Sequence, residues 1–234
     1  MLWSELAGAR VLILGTGREA RALADALLPV AAQLWAADEL DGESAAAWRE
    51  SYGSRAPLVD IATALAGGAD VAIASPGIPP HSALRRAIAD AGVAETSLTD
   101  LWLGEHAAHT TAVTGSKGKS TTSALIHALS RAHGVDAALG GNIGIPLLSL
   151  PRAERYVAEV SSQQAAGVTR SPDVVVLTAL FPEHLDWHGS EHAYYRDKLS
   201  LAAHGARRVL YNADDARLST ELARLLPEIA AIAA

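Results

Sequence analysis

The run Thr110-Thr-Ala-Val-Thr-Gly-Ser-Lys-Gly-Lys-Ser-Thr-Thr122 constrains the fold more than any other stretch. A short β-branched segment meets a glycine-lysine turn, and a helical pattern begins at once. Backbone N–H groups at Gly115, Ser116, Lys117 and Gly118 can turn toward one anion. The following helix adds positive potential at its N-terminus. Lys119 adds a full charge, Ser120 offers a hydroxyl to Mg²⁺, and Thr121 continues the cradle. The first glycine is Gly115, so the loop is shorter than the common form with four residues before Gly-Lys. An ordinary strand–turn–helix corner is the plainer alternative.

A phosphate loop needs a parallel sheet behind it, and the rest of the chain supplies one. Arg10-Val-Leu-Ile-Leu-Gly15 reads as a buried strand. The turn Gly15-Thr-Gly17-Arg-Glu-Ala20 follows, then a helix from about Glu19 to Leu28. Gln33-Leu-Trp-Ala-Ala-Asp38 is a second strand, whose Asp38 stands where a ribose-binding acid would sit. A dinucleotide is the first ligand this suggests. The same turn also binds other nucleotides, or merely packs a helix on a strand. Asp70-Val-Ala-Ile-Ala-Ser-Pro-Gly77 is another strand, with Ser75 and Gly77 at the sheet's carboxyl edge. Ser82 caps a helix to Ala91. Thr99 to His109 reads as a connection between domains, with Trp102 and Leu103 in an interface.

After the loop, a helix spans Thr121 to His133, with Gly134 as its C-cap. Gly140 to Pro146 is a glycine-rich turn in which Asn142 can present an amide to a ligand. Arg155-Tyr-Val-Ala-Glu-Val160 is a strand, and Glu159 within it needs a partner, either Mg²⁺ or a structural ion pair. Asp173 to Thr178 is the next strand. Phe181 to Gly189 reads as a loop. His184 and His188 stand four apart, but a loop makes a zinc pair a poor fit; one histidine holding a metal or its water fits better. Tyr194 to Ala203 is a helix carrying Lys198, where a solvated lysine is the ordinary expectation. Arg207 to Tyr211 is a strand, Asn212 to Asp215 an acidic turn, and Leu218 to Leu226 a last helix.

Composition narrows the function. Half of the 234 residues are apolar and 19% are charged, as in a packed globular protein. A net charge of −7 argues against a general nucleic-acid partner. With no cysteine, disulfides and cysteine-held zinc are excluded. No apolar run is long enough to span a bilayer, and the start lacks a leader pattern, so a cytoplasmic protein without membrane contact is expected.

In this order, the motifs resemble those of the Mur ligases of peptidoglycan synthesis, and within them the glutamate-adding enzymes. The resemblance rests on Gly15-Thr-Gly17, Ala74-Ser-Pro-Gly-Ile78, Thr114 to Thr122, Gly141-Asn-Ile-Gly-Ile-Pro146, Glu159-Val-Ser-Ser-Gln-Gln164, Glu183-His-Leu-Asp186, Tyr195-Arg-Asp-Lys198 and Asn212-Ala-Asp-Asp215. It implies an α/β fold: a Rossmann-like UDP-binding domain over 1–108, then an incomplete P-loop ATPase domain over 109–234. A C-terminal glutamate-binding domain would be absent.

The resemblance also implies an ATP-dependent ligase acting as a monomer. It would join UDP-N-acetylmuramoyl-L-alanine to glutamate through an acyl phosphate. Arg18, Glu19, Asp38, Ser75 and Gly77 would surround the UDP group. Asn142, Ser161 and Gln164 would orient the muramoyl-alanine end. Lys119 would hold the β/γ-phosphates. Ser120 and Glu159 would hold one Mg²⁺; His184 and a carbamylated Lys198 would hold a second, with Lys119, His184 and Lys198 as the catalytic set. Carbamylation requires Lys198 to lose a proton well below the free-lysine pKa of about 10.4, which an adjacent cation would favour. Gly17 to Ala22 and His184 to Gly189 look more like the variant that adds L-glutamate than the D-glutamate enzyme. Residues 1–234 alone would bind without turnover. The competing readings are a Rossmann oxidoreductase, a ligase similar to folylpolyglutamate synthases, and a non-catalytic nucleotide-sugar-binding fragment.

Overall fold

The computed structural model describes residues 1–39 and 41–230, the last two by their backbone alone. The chain divides into two compact units, Met1–Leu101 and Trp102–Ala234.

The first unit alternates strand and helix: β1 (Arg10–Leu14), α1 (Arg18–Leu27), β2 (Gln33–Ala37), α2 (Glu43–Tyr52), α3 (Ile61–Ala66), β3 (Val71–Ala74), α4 (Ala83–Asp90) and β4 (Ala94–Ser97). Its strands are parallel, in the order β2-β1-β3-β4. Val11 to Leu14 and Ala72 to Ile73 are almost wholly buried because helices cover the sheet, which is why these strands read as unbroken apolar runs. Ser82 caps α4, as its sequence suggests, its hydroxyl accepting from the Arg85 N–H.

The division falls inside α5 (Leu98–His106). The boundary expected at residue 108 therefore lies seven residues earlier, and the expected connection is mostly a helix. Trp102 packs edge-on against Tyr156 and beside His106, inside the second unit.

The second unit runs β5 (Thr110–Thr114), α6 (Lys119–Ala132), β6 (Ala137–Gly141), β7 (Arg155–Glu159), α7 (Ser162–Ala165), β8 (Val174–Leu177), α8 (Leu185–His188), α9 (Glu191–Leu199), β9 (Arg208–Tyr211) and α10 (Ala216–Leu225). Its parallel order is β6-β7-β5-β8-β9, which puts β5 at the centre and the ends of β7 and β8 on either side of the loop that leaves it. Three expectations need correction. Gly140 and Gly141 belong to β6 rather than to a turn. The Phe181–Gly189 loop contains the single helical turn α8. The helix expected from Tyr194 begins at Glu191, because Ser190 caps it there. No helix among the described residues is long and apolar enough to cross a membrane.

Candidate active site: a braced phosphate loop with a buried lysine

The chain leaves β5 through Gly115 at φ 143° and Gly118 at φ 87°, and α6 starts at Lys119. A Cβ on Gly115 would fall on the Thr178 hydroxyl at the end of β8. Only glycine meets both the backbone angle and the close approach. Thr178 holds the loop from behind, its hydroxyl reaching the Thr114 and Lys117 carbonyls. Ser116 is buried. Its N–H donates to the Ala179 carbonyl at 2.7 Å, and its hydroxyl donates to the Phe181 carbonyl at 2.7 Å. The Tyr194 hydroxyl sits 2.7 Å from the same Ser116 Oγ. Ser116 therefore braces the loop from beneath, where the sequence placed it among the phosphate-facing groups.

Two lysines converge on this loop. Lys119 Nζ donates to the Gly115 carbonyl at 2.8 Å and to the Ser116 carbonyl at 3.0 Å. Lys198, reaching from α9, donates to the same Gly115 carbonyl at 2.9 Å. Lys198 is only 2% exposed, against the solvated position usual for a helical lysine, and its Nζ lies 5.0 Å from the Tyr194 ring centroid. Burial, and after it the charge on Lys119, pull its pKa down to about 7; Glu183 pushes weakly the other way. Glu183 also sits 3.3 Å from Lys117. Burial drives the Tyr194 hydroxyl up to about 12, so it remains a donor.

One strand over, Glu159 ends β7 and is 1% exposed. Its Oε1 accepts from the Asn142 amide at 2.8 Å, while its Oε2 is buried with no hydrogen-bond partner. No cation lies within ion-pair distance of it among the described residues, so the structural ion pair is not what holds it. A buried carboxylate oxygen without a partner is costly, and a hard cation would satisfy it. Asn142, expected to face substrate, touches this carboxylate. Ser161 and Gln164 cap α7 reciprocally. The Ser161 hydroxyl accepts from the Gln164 N–H at 3.1 Å, and Gln164 Oε1 accepts from the Ser161 N–H at 2.9 Å.

His184 is exposed at φ 52°, where it opens α8. Ser120 is exposed in the first turn of α6. Among the described residues, no hydrogen bond joins either side chain to Glu159 or Lys198. Among the described residues, no three His, Asp or Glu groups converge there as a metal cluster. The four expected metal ligands thus stand around one loop without forming a finished cage.

The first unit holds its own cavity, about 620 Å³, at the carboxyl ends of β1, β2 and β3. Strand order reverses direction at β1, which is where open α/β sheets bind ligands. Arg18, Glu19, Asp38, Ser75 and Gly77 all line it. Thr16 donates its hydroxyl to Asp38 at 2.6 Å and so fixes that carboxylate. Gly15, at φ 97°, lets the turn lie against Ser75. Glu39 was not foreseen: its carboxylate accepts the Ala83 and Leu84 N–H groups at 2.8 and 3.3 Å. Thr178 and Tyr194 were also missed. The one available signal was Tyr194, one helical turn before Lys198 and therefore on the same face.

The class these features define is a two-unit α/β protein with a glycine-lysine phosphate loop. Residues 113–231 match the Mur ligase middle domain. The chain is 46% identical over 225 residues to a UDP-N-acetylmuramoyl-L-alanine–L-glutamate ligase from Salinispora tropica, covering 95% of this chain and 50% of that protein. A protein of the same name from Xanthomonas euvesicatoria is 40% identical over 239 residues, covering 92% and 49%. The chain belongs to the Mur ligase family, and spans about half the length of the curated relatives it matches.

Solved structures agree on the fold. The UDP-N-acetylmuramate:L-alanyl-γ-D-glutamyl-meso-diaminopimelate ligase of Neisseria meningitides superimposes with a TM-score of 0.56 at 18% identity, covering 93% of this chain and 75% of that one. The UDP-N-acetylmuramate–alanine ligase of Thermotoga maritima gives 0.55 at 17%, covering 91% and 51%.

Proposed function

We propose that this chain carries the UDP-sugar-binding unit and the phosphate-binding part of an ATP-dependent ligase. The complete enzyme joins UDP-N-acetylmuramoyl-L-alanine to L-glutamate. The observation that supports this most is the meeting of Lys119 and buried Lys198 on the Gly115 carbonyl, with an unpartnered Glu159 oxygen at the end of the neighbouring strand β7. A nucleotide-binding module with no chemistry to perform has no use for a buried lysine that loses its proton near pH 7.

Lys119 holds the terminal phosphates once nucleotide draws it from the loop carbonyls. Glu159, with the Ser120 hydroxyl, fits a Mg²⁺ ion, because a hard cation satisfies the Glu159 oxygen that nothing else reaches. When bound, the metal supplies charge neutralisation on the phosphates. Lys198 is set up to take CO₂. The neutral amine's lone pair adds to the carbon, a C=O π pair moves onto oxygen, and the N–H proton leaves to solvent. The product is a carboxylate on a long arm, which with His184 would complete a second Mg²⁺ site. The alanine carboxylate takes the γ-phosphoryl group, and the glutamate amine then displaces phosphate. What the protein contributes is mainly position and charge. The first unit holds the uridine diphosphate in the cavity around Asp38.

The test uses the complete open reading frame. Phosphate release is measured with ATP and UDP-N-acetylmuramoyl-L-alanine, offering L- and D-glutamate separately. Release dependent on L-glutamate is expected. Release with neither amino acid would refute the assignment.

A further inference from the structure

Beside the phosphate loop, a second polar chain is sealed inside the same unit. His188 closes α8 with a fully buried side chain. Its Nδ1 lies 2.8 Å from Asp197 Oδ2 on α9, and its Nε2 lies 2.9 Å from Ser162 Oγ in the first turn of α7. The carboxylate accepts the Nδ1–H, and the Ser162 hydroxyl, whose Oγ also lies 3.2 Å from Gln163 Oε1, faces Nε2. Trp187 and Tyr194 pack edge-on against the imidazole, with ring centroids at 4.5 and 5.2 Å.

Serine, histidine and aspartate in this order have the connectivity of an acyl-transfer triad. Here Ser162 is 2% exposed, and the aromatic rings close the histidine in, so no substrate reaches the hydroxyl. The network has a different use, visible in its neighbours. Asp197 immediately precedes Lys198. Ser162 immediately follows Ser161. The other Asp197 oxygen accepts from its neighbour Arg196 at 3.0 Å. On a further side of α9, the Tyr194 hydroxyl meets Ser116 beneath the phosphate loop. Lys198 follows both attachments on α9, one residue after Asp197 and one helical turn after Tyr194. A lysine side chain loses up to about 2 kcal/mol of rotamer freedom when fixed, so it stays on one carbonyl only if its helix is held.

We propose that His188 is a positioning residue: its bridge from Ser162 to Asp197 clamps α9 so that Lys198 Nζ stays at the Gly115 carbonyl. Only the consequence for CO₂ addition rests on the reading under Proposed function. The clamp itself does not.

Two readouts on protein from the full open reading frame separate the two. The first is the acylation rate of Lys198 by a small amine-reactive ester, mapped by peptide mass spectrometry. The second is the carbamate signal in ¹³C NMR after addition of ¹³C-bicarbonate. His188→Ala should raise Lys198 acylation roughly tenfold, the scale of losing a buried hydrogen bond to a charged group, and should lower the carbamate signal. His188→Asn keeps a donor toward Asp197 and should recover part of both. Tyr195→Phe is the control. It removes the hydroxyl that donates to Glu191 on the same helix, outside the clamp, and should move neither readout.

Should His188→Ala fail to fold, Ser162→Ala removes only the far end of the bridge and should shift acylation in the same direction. Wild-type acylation in the folded His188 or Ser162 variants, or an equal shift in Tyr195→Phe, would overturn the clamp. A wild type with no carbamate signal would instead refute the CO₂ chemistry, and the acylation comparison would still decide the role of His188.

Discussion

Lys119 and Lys198 donate to the same oxygen, the carbonyl of Gly115, at 2.8 and 2.9 Å. One arises from the loop itself and the other from a helix more than seventy residues later in the chain. Two ammonium groups so close repel each other, and only one is buried deeply enough to give up its proton. The geometry thus distinguishes the two: Lys119 is part-exposed at the start of α6, and Lys198 is sealed from solvent.

This burial gives Lys198 a pH signature. Its pKa falls from the ordinary 10.5 to about 7 through burial first and Lys119 second. Between these values the folded chain binds fewer protons than the unfolded chain, so unfolding free energy rises with pH across that window. Below about pH 7 the lysine is charged in both states, and the full cost of burying the charge is present. At 1.36 kcal/mol per pKa unit the effect is on the order of a few kcal/mol. In CO₂-free buffer, denaturant titrations from pH 6 to 10 should show this rise in the wild type and a flatter curve in Lys198→Met. The variant should be the more stable of the two at pH 6. Parallel curves would mean that Lys198 is not buried as a charge.

Glu159 sets function against stability. One carboxylate oxygen holds Asn142 and the other has no partner. Glu159→Gln removes the buried charge. Without metal it should be more stable than wild type, because an unpartnered neutral amide costs less to bury than an unpartnered carboxylate. Adding Mg²⁺ with ATP should then raise the melting temperature of the wild type and leave Glu159→Gln nearly unmoved. Equal Mg²⁺–ATP shifts in both proteins would show that Glu159 holds no metal.

How much of this the sequence displayed depends on whether the governing physics is local. Most strands of both sheets were legible because their buried runs, such as Val11 to Leu14, are apolar throughout; the edge strands β4 (Ala94–Ser97), half exposed and polar, and β6 (Ala137–Gly141), ending in two glycines, were not. The phosphate loop was legible because backbone angles at Gly115 and Gly118 demand glycine within a short span. The burial of Lys198 was not, since it depends on where α9 packs, and α9 meets Ser116 directly and Ser162 through His188, residues far from it in the sequence. Spacing can flag a pair of histidines. It cannot show that His188 turns inward to Asp197 while His184, four residues earlier, stays exposed. The start of α9 at Glu191 was hidden for a smaller reason: Ser190 caps it, and a serine after a glycine reads equally well as loop.

The cavity of the first unit is where the proposed UDP site and the dinucleotide site that its Gly15-Thr-Gly17 turn also suggests can be told apart by binding. Thr16 spends its hydroxyl on Asp38, so the carboxylate is fixed at the mouth of the site as an acceptor for ligand hydroxyl or N–H groups. Calorimetric titration of the chain with UDP should show saturable binding. NADH, followed by its fluorescence, should show none. Thr16→Val removes one hydrogen bond from the carboxylate without changing its charge, and a lost hydrogen bond of about 0.5–1.5 kcal/mol should weaken UDP roughly three- to tenfold. Saturable NADH binding that UDP fails to displace would return the first unit to the dinucleotide reading.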